Sequence, residues 1–243
     1  MKAMILAAGV GSRLRPLTDT CPKALIDING SPMLEIVLRR LISAGCTEVA
    51  INVFHLADMI IDFLRARQNF GIQIEISRES AILDTGGGLK NVASFFDDGQ
   101  PFFLHNVDVL SNIDLNRMYR DHLEKGALAT LAVQARKTGR YFLFDENDTL
   151  CGWESVNDGK KILNRTPPGN VRRLAFNGIH VISPKIFSKM NETGVFSINQ
   201  TYLRLAGESE KILAFHADEY YWRDIGRLEQ LEEIRRESAK IED

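Results

Sequence analysis

The chain has 243 residues, 44% apolar and 26% charged, a size and balance suited to one large globular domain or two small ones. Acidic and basic residues nearly cancel, 32 against 30, which excludes the overall basic field that binds nucleic acid or membrane surfaces nonspecifically. No apolar run reaches the roughly eighteen residues a membrane-spanning helix needs, so the sequence predicts none.

The first predicted element is a strand at 2–7 (KAMILA), which runs directly into Gly9-Val10-Gly11-Ser12-Arg13. That abrupt end also makes MKAMILAAG a poor signal peptide, for lack of a long apolar core. A helix is expected from Pro32 to Ala44, with proline at its start and Gly45 just past its end. A strand at 48–53 (EVAINV), an amphipathic helix from Asp58 to Arg67 and an alternating strand at 72–76 (IQIEI) follow. Next come a helix from about Gly88 to Phe96, a strand at Phe102–His105, a helix at Leu115–Glu124 and a strand at Ala127–Gln134. Strands alternating with helices at this spacing imply a mainly parallel sheet with helices on both faces.

After Arg136 the pattern changes to short strands broken by turn signals: YFLF, DEND, LCGW, NDGKK. This predicts a small antiparallel insertion over the sheet. Strand returns at 174–182, and helices are expected at Asn199–Ala206 and Arg227–Ala239. The expectation is a single domain over 1–243, with a nucleotide-binding part at 1–135, a lid-like part at 136–220, and the closing segment 221–243. Cys21, Cys46 and Cys151 are widely spaced with no CxxC, which reads as free thiols in a reducing compartment and predicts a cytoplasmic protein.

In open α/β sheets, ligands sit beyond the carboxyl ends of the strands, so the loop after the first strand is the expected site. Its glycines let backbone approach a ligand and free amides face phosphate oxygens. Arg13, Arg15 and Lys23 add full positive charge, and the combination suits a triphosphate. A lone Gly-x-Gly is more often a simple turn. A dinucleotide fingerprint needs a third glycine opening a helix, and a Walker A loop needs Gly-Lys-Ser/Thr; both are missing here.

The whole string LAAGVGSRLRPLTDTCPKALIDINGSPMLE resembles the signature of the sugar-1-phosphate nucleotidyltransferases, approximately LAAGxGxRLxPLTxxxPKxLxxxxGxPxL. The likeness continues through ILDTGGGLKNV (82–92), HNVDV (105–109), FNGIHVISP (176–184) and YWRDIG (221–226), and so covers the chain. The resemblance implies the Rossmann-like nucleotide-diphospho-sugar transferase fold without a β-helix domain. It also implies transfer of a nucleotidyl group from a nucleoside triphosphate to a sugar 1-phosphate, giving an NDP-sugar and pyrophosphate, with Mg²⁺ as cofactor. The partners implied are these small molecules, not nucleic acid or membrane, and the likeness allows a homodimer.

Carried over residue by residue, the resemblance gives the nucleotide to Leu6, Ala7, Ala8, Gly9, Gly11 and Ser12, and its phosphates to Arg13. Lys23 would meet both the sugar phosphate and the α-phosphate. Asp108 and Asp224 match the two carboxylates expected to hold Mg²⁺, a hard ion that rarely takes an all-protein cage. Glu79 and the Thr85-Gly86-Gly87 turn are expected to read the base. Asn177 and Gly178 are expected to contact the sugar, although a strand bulge would explain them equally. Trp153, Glu154 and Asn164 could line the sugar pocket without a motif to support them. His105 and Cys21 lie near motif residues but are not needed as nucleophiles. The pattern is broken at Val107, where relatives carry a small residue, and at Arg227-Leu228, in place of Thr-Pro, which should alter only the start of the last helix. GTP or UTP is the expected donor and a hexose-type or amino-sugar 1-phosphate the acceptor. A noncatalytic sugar-nucleotide-binding relative is the alternative, disfavoured by the presence of Arg13, Lys23, Asp108 and Asp224 together.

Overall fold

A computed structural model describes residues 1–239; the last four residues of the predicted 221–243 segment lie outside the described residues. The chain forms two compact units that interleave in sequence: Met1–Ile82, His105–Asn112 and Tyr221–Asp243 make the first, Leu83–Leu104 and Ile113–Tyr220 the second. The architecture is α/β, a mixed sheet with helices and short antiparallel pieces, as the alternating pattern requires.

The first unit is built on three parallel strands, Lys2–Leu6, Glu48–Val53 and Gln73–Arg78, with Lys2 opposite Glu48 and Glu48 opposite Gln73. Val49, Ala50, Ile51 and Val53 are all buried, as expected of a strand covered on both faces. The Gln73–Arg78 strand alternates in exposure because it is the edge strand. Between the first two strands runs the helix Met33–Ser43, which buries Met33, Leu34, Val37, Leu38 and Leu41 along one stripe. It starts after Pro32, and Gly45 follows its end with φ +94°. The Ala57–Ala66 helix makes the second crossover. Two strand pairings of this unit escaped the sequence reading. One is the hairpin Asp27–Ile28/Ser31–Pro32, whose signal was Asn29-Gly30, both at positive φ. The other is a three-residue pairing, Trp222–Asp224 against Val109–Ser111, too short to show periodicity.

In the second unit, the strand Ala129–Gln134 lies between a parallel neighbour, Ile212–His216, and an antiparallel one, Arg172–Ile182. The sequence reading missed Ile212–His216. The long strand Arg172–Ile182 pairs with Arg140–Phe144 through its first residues and with Ala129–Gln134 through the rest. The predicted insertion, Arg140–Phe144, Leu150–Ser155 and Lys160–Leu163, is antiparallel as expected. It extends the sheet edgewise through that shared strand and does not form a layer over it. Leu115–Lys125 is capped by the Asp114 carboxylate, which accepts from the Arg117 amide at 2.9 Å, and ends at Gly126.

One predicted element is displaced. The helix expected at Gly88–Phe96 begins four residues earlier, at Asp84–Asn91, and a separate 3-10 turn covers Ala93–Phe96. Three consecutive glycines are poor helix formers and read as a turn. The tertiary setting overrides that preference: the Gly86 and Gly87 amides donate to the Phe196 carbonyl at 2.9 and 3.2 Å. A Cβ on Gly86 would also press on the Phe196 ring and stand 2.9 Å from the Ile198 nitrogen, so only glycine fits.

Candidate active site

The opening loop is shaped by its own backbone. Gly11 has φ +68°, and a Cβ there would meet Thr18 Cγ2 at 2.8 Å and Lys23 Cβ at 3.2 Å. Glycine is therefore demanded by both conformation and crowding. Thr18 Oγ1 donates to the Gly11 carbonyl at 2.9 Å, and Leu14, wholly buried, anchors the Ser12–Leu14 turn. This leaves Gly9, Ser12 and Arg13 exposed at the carboxyl end of the first strand.

Leu6 and Ala7 are fixed from beneath. The Leu6 carbonyl accepts from the Val107 amide at 3.2 Å, and the Ala7 amide donates to Asn52 Oδ1 at 2.8 Å. Asn52 in turn donates from Nδ2 to Glu79 Oε1 at 2.7 Å. Both side chains are buried, so this is a low-dielectric chain of hydrogen bonds from the loop to the predicted base-reading carboxylate. The sequence reading passed over Asn52. Its signal was a polar residue inside the buried run VAINV of that strand.

Lys23 is 9% exposed, unusual for a lysine, and the reason is an ion pair between its Nζ and Asp108 Oδ2. Asp108 sits in the turn between the strands Phe102–Asn106 and Val109–Ser111. The second carboxylate reaches it by strand pairing: Asp224 lies opposite Val109, and the Ile225 amide donates to the Asp108 carbonyl at 2.8 Å. The structure thus brings Asp108 and Asp224 to adjacent rungs although 116 positions separate them (224 − 108). The Arg13 guanidinium lies beside Gly226, where a Cβ would stand 3.0 Å from Nη2. Arg13, Lys23, Asp108 and Asp224 are therefore gathered within the first unit.

Among the described residues, no group of three or more His, Cys, Asp or Glu side chains is placed to hold a metal. The fit test for a divalent cation therefore rests on the carboxylate pair. Asp108 engages Lys23 through Oδ2 and Asp224 engages Gln230 through Oδ1. Two hard-oxygen donors brought together by strand pairing suit a divalent cation that also takes phosphate oxygens and water. His105 is fully buried and donates from Nδ1 to the Asn106 carbonyl at 2.8 Å. Burial pushes its pKa down to about 4, so it stays neutral and carries no acid–base role. Burial likewise raises the Cys21 thiol, which leaves it a poor nucleophile.

The remaining predicted residues belong to the second unit. Thr85 Oγ1 accepts from the Ile198 amide at 3.0 Å and lies 3.3 Å from Ser197 Oγ, while the Gly86 and Gly87 amides serve Phe196. The polar groups of this turn are thus engaged in holding two helices together. Asn177 is fully buried, with Oδ1 3.5 Å from Arg136 Nε, and Gly178 has φ +74°. The register of the strand shifts between Phe176 and His180, so these two residues form a bulge. Glu154 is taken up by Arg173 in a bidentate pair at 2.7 and 2.9 Å.

A parallel α/β unit with a glycine-shaped loop, two cations and two adjoining carboxylates at its strand ends defines a phosphate-handling protein. Known proteins make that class specific. Residues 2–149 match the family described as Nucleotidyl transferase. An N-acetylmuramate alpha-1-phosphate uridylyltransferase of Neisseria meningitidis serogroup B is 46% identical over 241 residues, covering 96% of each chain. The enzyme of the same name from Caulobacter vibrioides is 30% identical over 92% of this chain and 91% of its own. A UTP--glucose-1-phosphate uridylyltransferase of Synechocystis is 32% identical, but this chain spans only 61% of its length. In fold, UDP-glucose pyrophosphorylase complexed with UDP-glucose superposes with a TM-score of 0.76 at 19% identity, covering 99% of this chain and 98% of that one. HddC from Yersinia pseudotuberculosis complexed with GMP-PN gives 0.75 at 20% identity, covering 98% and 99%. The chain belongs to the nucleotidyl transferase family, and its relatives are sugar-1-phosphate nucleotidyltransferases.

Proposed function

We propose that the protein transfers a uridylyl group from UTP to an amino-sugar 1-phosphate, with N-acetylmuramate 1-phosphate the leading acceptor, releasing UDP-sugar and pyrophosphate. The observation that carries the acceptor and donor is the 46% identity, end to end, with the Neisseria uridylyltransferase. Through Asn52 the carboxylate assigned to the base is hydrogen-bonded to the backbone of the opening loop. The setting is the cytoplasm, where nucleoside triphosphates occur and where Cys21, Cys46 and Cys151 would stay reduced.

The chemistry is an in-line displacement. A sugar-phosphate oxygen bonds to the α-phosphorus of UTP, the bond from that phosphorus to the oxygen bridging the α- and β-phosphates breaks, and pyrophosphate leaves with that oxygen. No covalent enzyme intermediate is needed, so the task of the side chains is positioning and charge neutralisation. Arg13, a planar fork on an exposed loop, is suited to clamp two phosphate oxygens. Lys23, a compact ammonium held near the carboxylates, is suited to stabilise the charge at the α-phosphate and on the incoming sugar phosphate. Asp108 and Asp224 would hold Mg²⁺, which supplies Lewis-acid polarisation of the phosphoryl oxygens when bound. Asn177 and Gly178 are assigned to the sugar.

The test is a panel of UTP, GTP, ATP and CTP against N-acetylmuramate, N-acetylglucosamine, glucose, mannose and heptose 1-phosphates, read by pyrophosphate release. UTP with an amino-sugar phosphate should dominate. A preference for GTP would overturn the base assignment, and silence throughout would favour a noncatalytic sugar-nucleotide-binding role.

A further inference from the structure

The C-terminal helix Leu228–Ala239 does more than close the first unit. Its Leu231 and Ile234, 1% and 2% exposed, join Leu14, Ile26, Met33, Leu110 and Ile225 in one apolar cluster. Polar contacts fix its register as well: Arg235 donates to the Asp27 carbonyl at 2.8 Å, and Asn29 donates to the Arg235 carbonyl at 3.4 Å. This docking brings Gln230, in the first turn, against the segment that carries Asp224. There the Gln230 amide makes two hydrogen bonds of opposite polarity. Its Nε2 donates to Asp224 Oδ1 at 3.0 Å, and its Oε1 accepts from the Gly226 amide at 3.0 Å.

Only one orientation of the amide satisfies both partners, because a carboxylate can only accept and a backbone N–H can only donate. The two bonds close a ring over residues 224–230 and restrict the χ1 and χ2 freedom of Asp224. Gly226, held in that ring, is the residue beside which the Arg13 guanidinium lies. A single side chain thus fixes one of the two carboxylates and the floor under the phosphate-binding arginine.

We propose that Gln230 is a positioning residue: it orients the Asp224 carboxylate, and with it the Asp224–Gly226 turn beside Arg13, so that the cation-binding pair is preorganised. The inference rests on the reading of Asp224 as a divalent-cation ligand. Losing the hydrogen-bond partner that orients a metal ligand typically costs 10–100-fold in metal affinity or activity. Gln230 is only half-buried, so its replacement removes the hydrogen bonds without opening the core.

The experiment titrates Mn²⁺, followed by electron paramagnetic resonance, into full-length protein with a non-hydrolysable UTP analogue. Wild type, Gln230→Met, Gln230→Ala, Asp224→Asn and the double variant Asp224→Asn/Gln230→Met are compared, each checked by circular dichroism. Both Gln230 variants should raise the Mn²⁺ dissociation constant about tenfold. Asp224→Asn should raise it at least as much, and the double variant should match Asp224→Asn alone, because Gln230 acts through Asp224. Unchanged Mn²⁺ binding in the Gln230 variants, with Asp224→Asn weakened, overturns this inference alone. Additive losses in the double variant overturn it too, by placing the action of Gln230 elsewhere. Unchanged binding in Asp224→Asn overturns the metal reading beneath it.

Discussion

Replacing Lys23 with alanine should separate three properties that usually fall together. The Nζ of Lys23 pairs with Asp108 Oδ2, and the two side chains are 11% and 25% exposed. Removing the ammonium strands a carboxylate that water can partly reach, so the penalty falls at the low end for a charged hydrogen bond, about 1–2 kcal/mol. For a chain of this size that is a fall of roughly 2–8 °C in the melting temperature. Turnover should collapse by about 10²–10³-fold, the usual cost of losing a group that faces developing charge. Divalent-cation binding should move the other way. Lys23 pairs with the same carboxylate that would hold the cation, and deleting one positive charge about 5 Å from a site of high effective dielectric is worth roughly 1 kcal/mol, or about fivefold tighter binding. Melting by circular dichroism, pyrophosphate release at saturating substrates and Mn²⁺ titration of the nucleotide-free protein read the three quantities. Mn²⁺ binding that is weakened or unchanged in Lys23→Ala would rule out competition between Lys23 and the cation, and turnover within threefold of wild type would rule out a phosphate-facing Lys23.

Two further predictions follow from buried polar groups. Asn52→Leu leaves the buried Ala7 amide without its acceptor and removes one hydrogen bond from the buried Glu79 carboxylate, and should cost about 1–3 kcal/mol in all. In the folded fraction it should raise the KM for UTP more than it lowers kcat; an unchanged KM would show that Glu79 does not face the base. His105 and His122 are both pushed by burial to about 4 from a usual value near 6.5. Between those values the unfolded chain binds protons that the folded chain refuses. Their stabilising effect is therefore complete above about pH 6.5 and is lost as pH falls toward 4, by up to roughly 3 kcal/mol for each. Urea unfolding at pH 7, 6 and 5 should show the fall, and His122→Gln, which can keep the hydrogen bond to Thr130, should flatten it; an equal slope in the variant would disprove the assignment.

The parallel core of the first unit was legible in the sequence because its strands and helices have clean periodicity and strong end signals. The strand Glu48–Val53 falls where EVAINV predicts it, and the Met33–Ser43 helix lies between Pro32 and Gly45. Illegible were elements whose stability is wholly tertiary. Trp222–Asp224 is too short for periodicity and is a strand only because Val109–Ser111 lies beside it. The glycines of Asp84–Asn91 signal a turn, and their helical form depends on the Phe196 carbonyl. The same division runs through the site. The opening loop, Lys23 and the two aspartates carry a recognisable string, whereas Asn52 shows only as a polar residue in a buried strand and Gln230 gains meaning only from the atoms it touches. The Lys23–Asp108 pair was not foreseen at all, since nothing in a sequence pairs residues 85 positions apart.

Uridylyl transfer to a sugar phosphate by the carboxylate-bearing site of the first unit can be measured by incubating wild type and Asp108→Asn with UTP and N-acetylmuramate 1-phosphate and quantifying UDP-sugar by mass spectrometry alongside pyrophosphate. Wild type should form the two products in equal amounts and only when the sugar phosphate is present, and Asp108→Asn should lose at least a hundredfold in rate while remaining folded, as expected when a group that stabilises developing charge is lost. Equal rates in the two proteins, or pyrophosphate release without the acceptor, would contradict uridylyl transfer by this site.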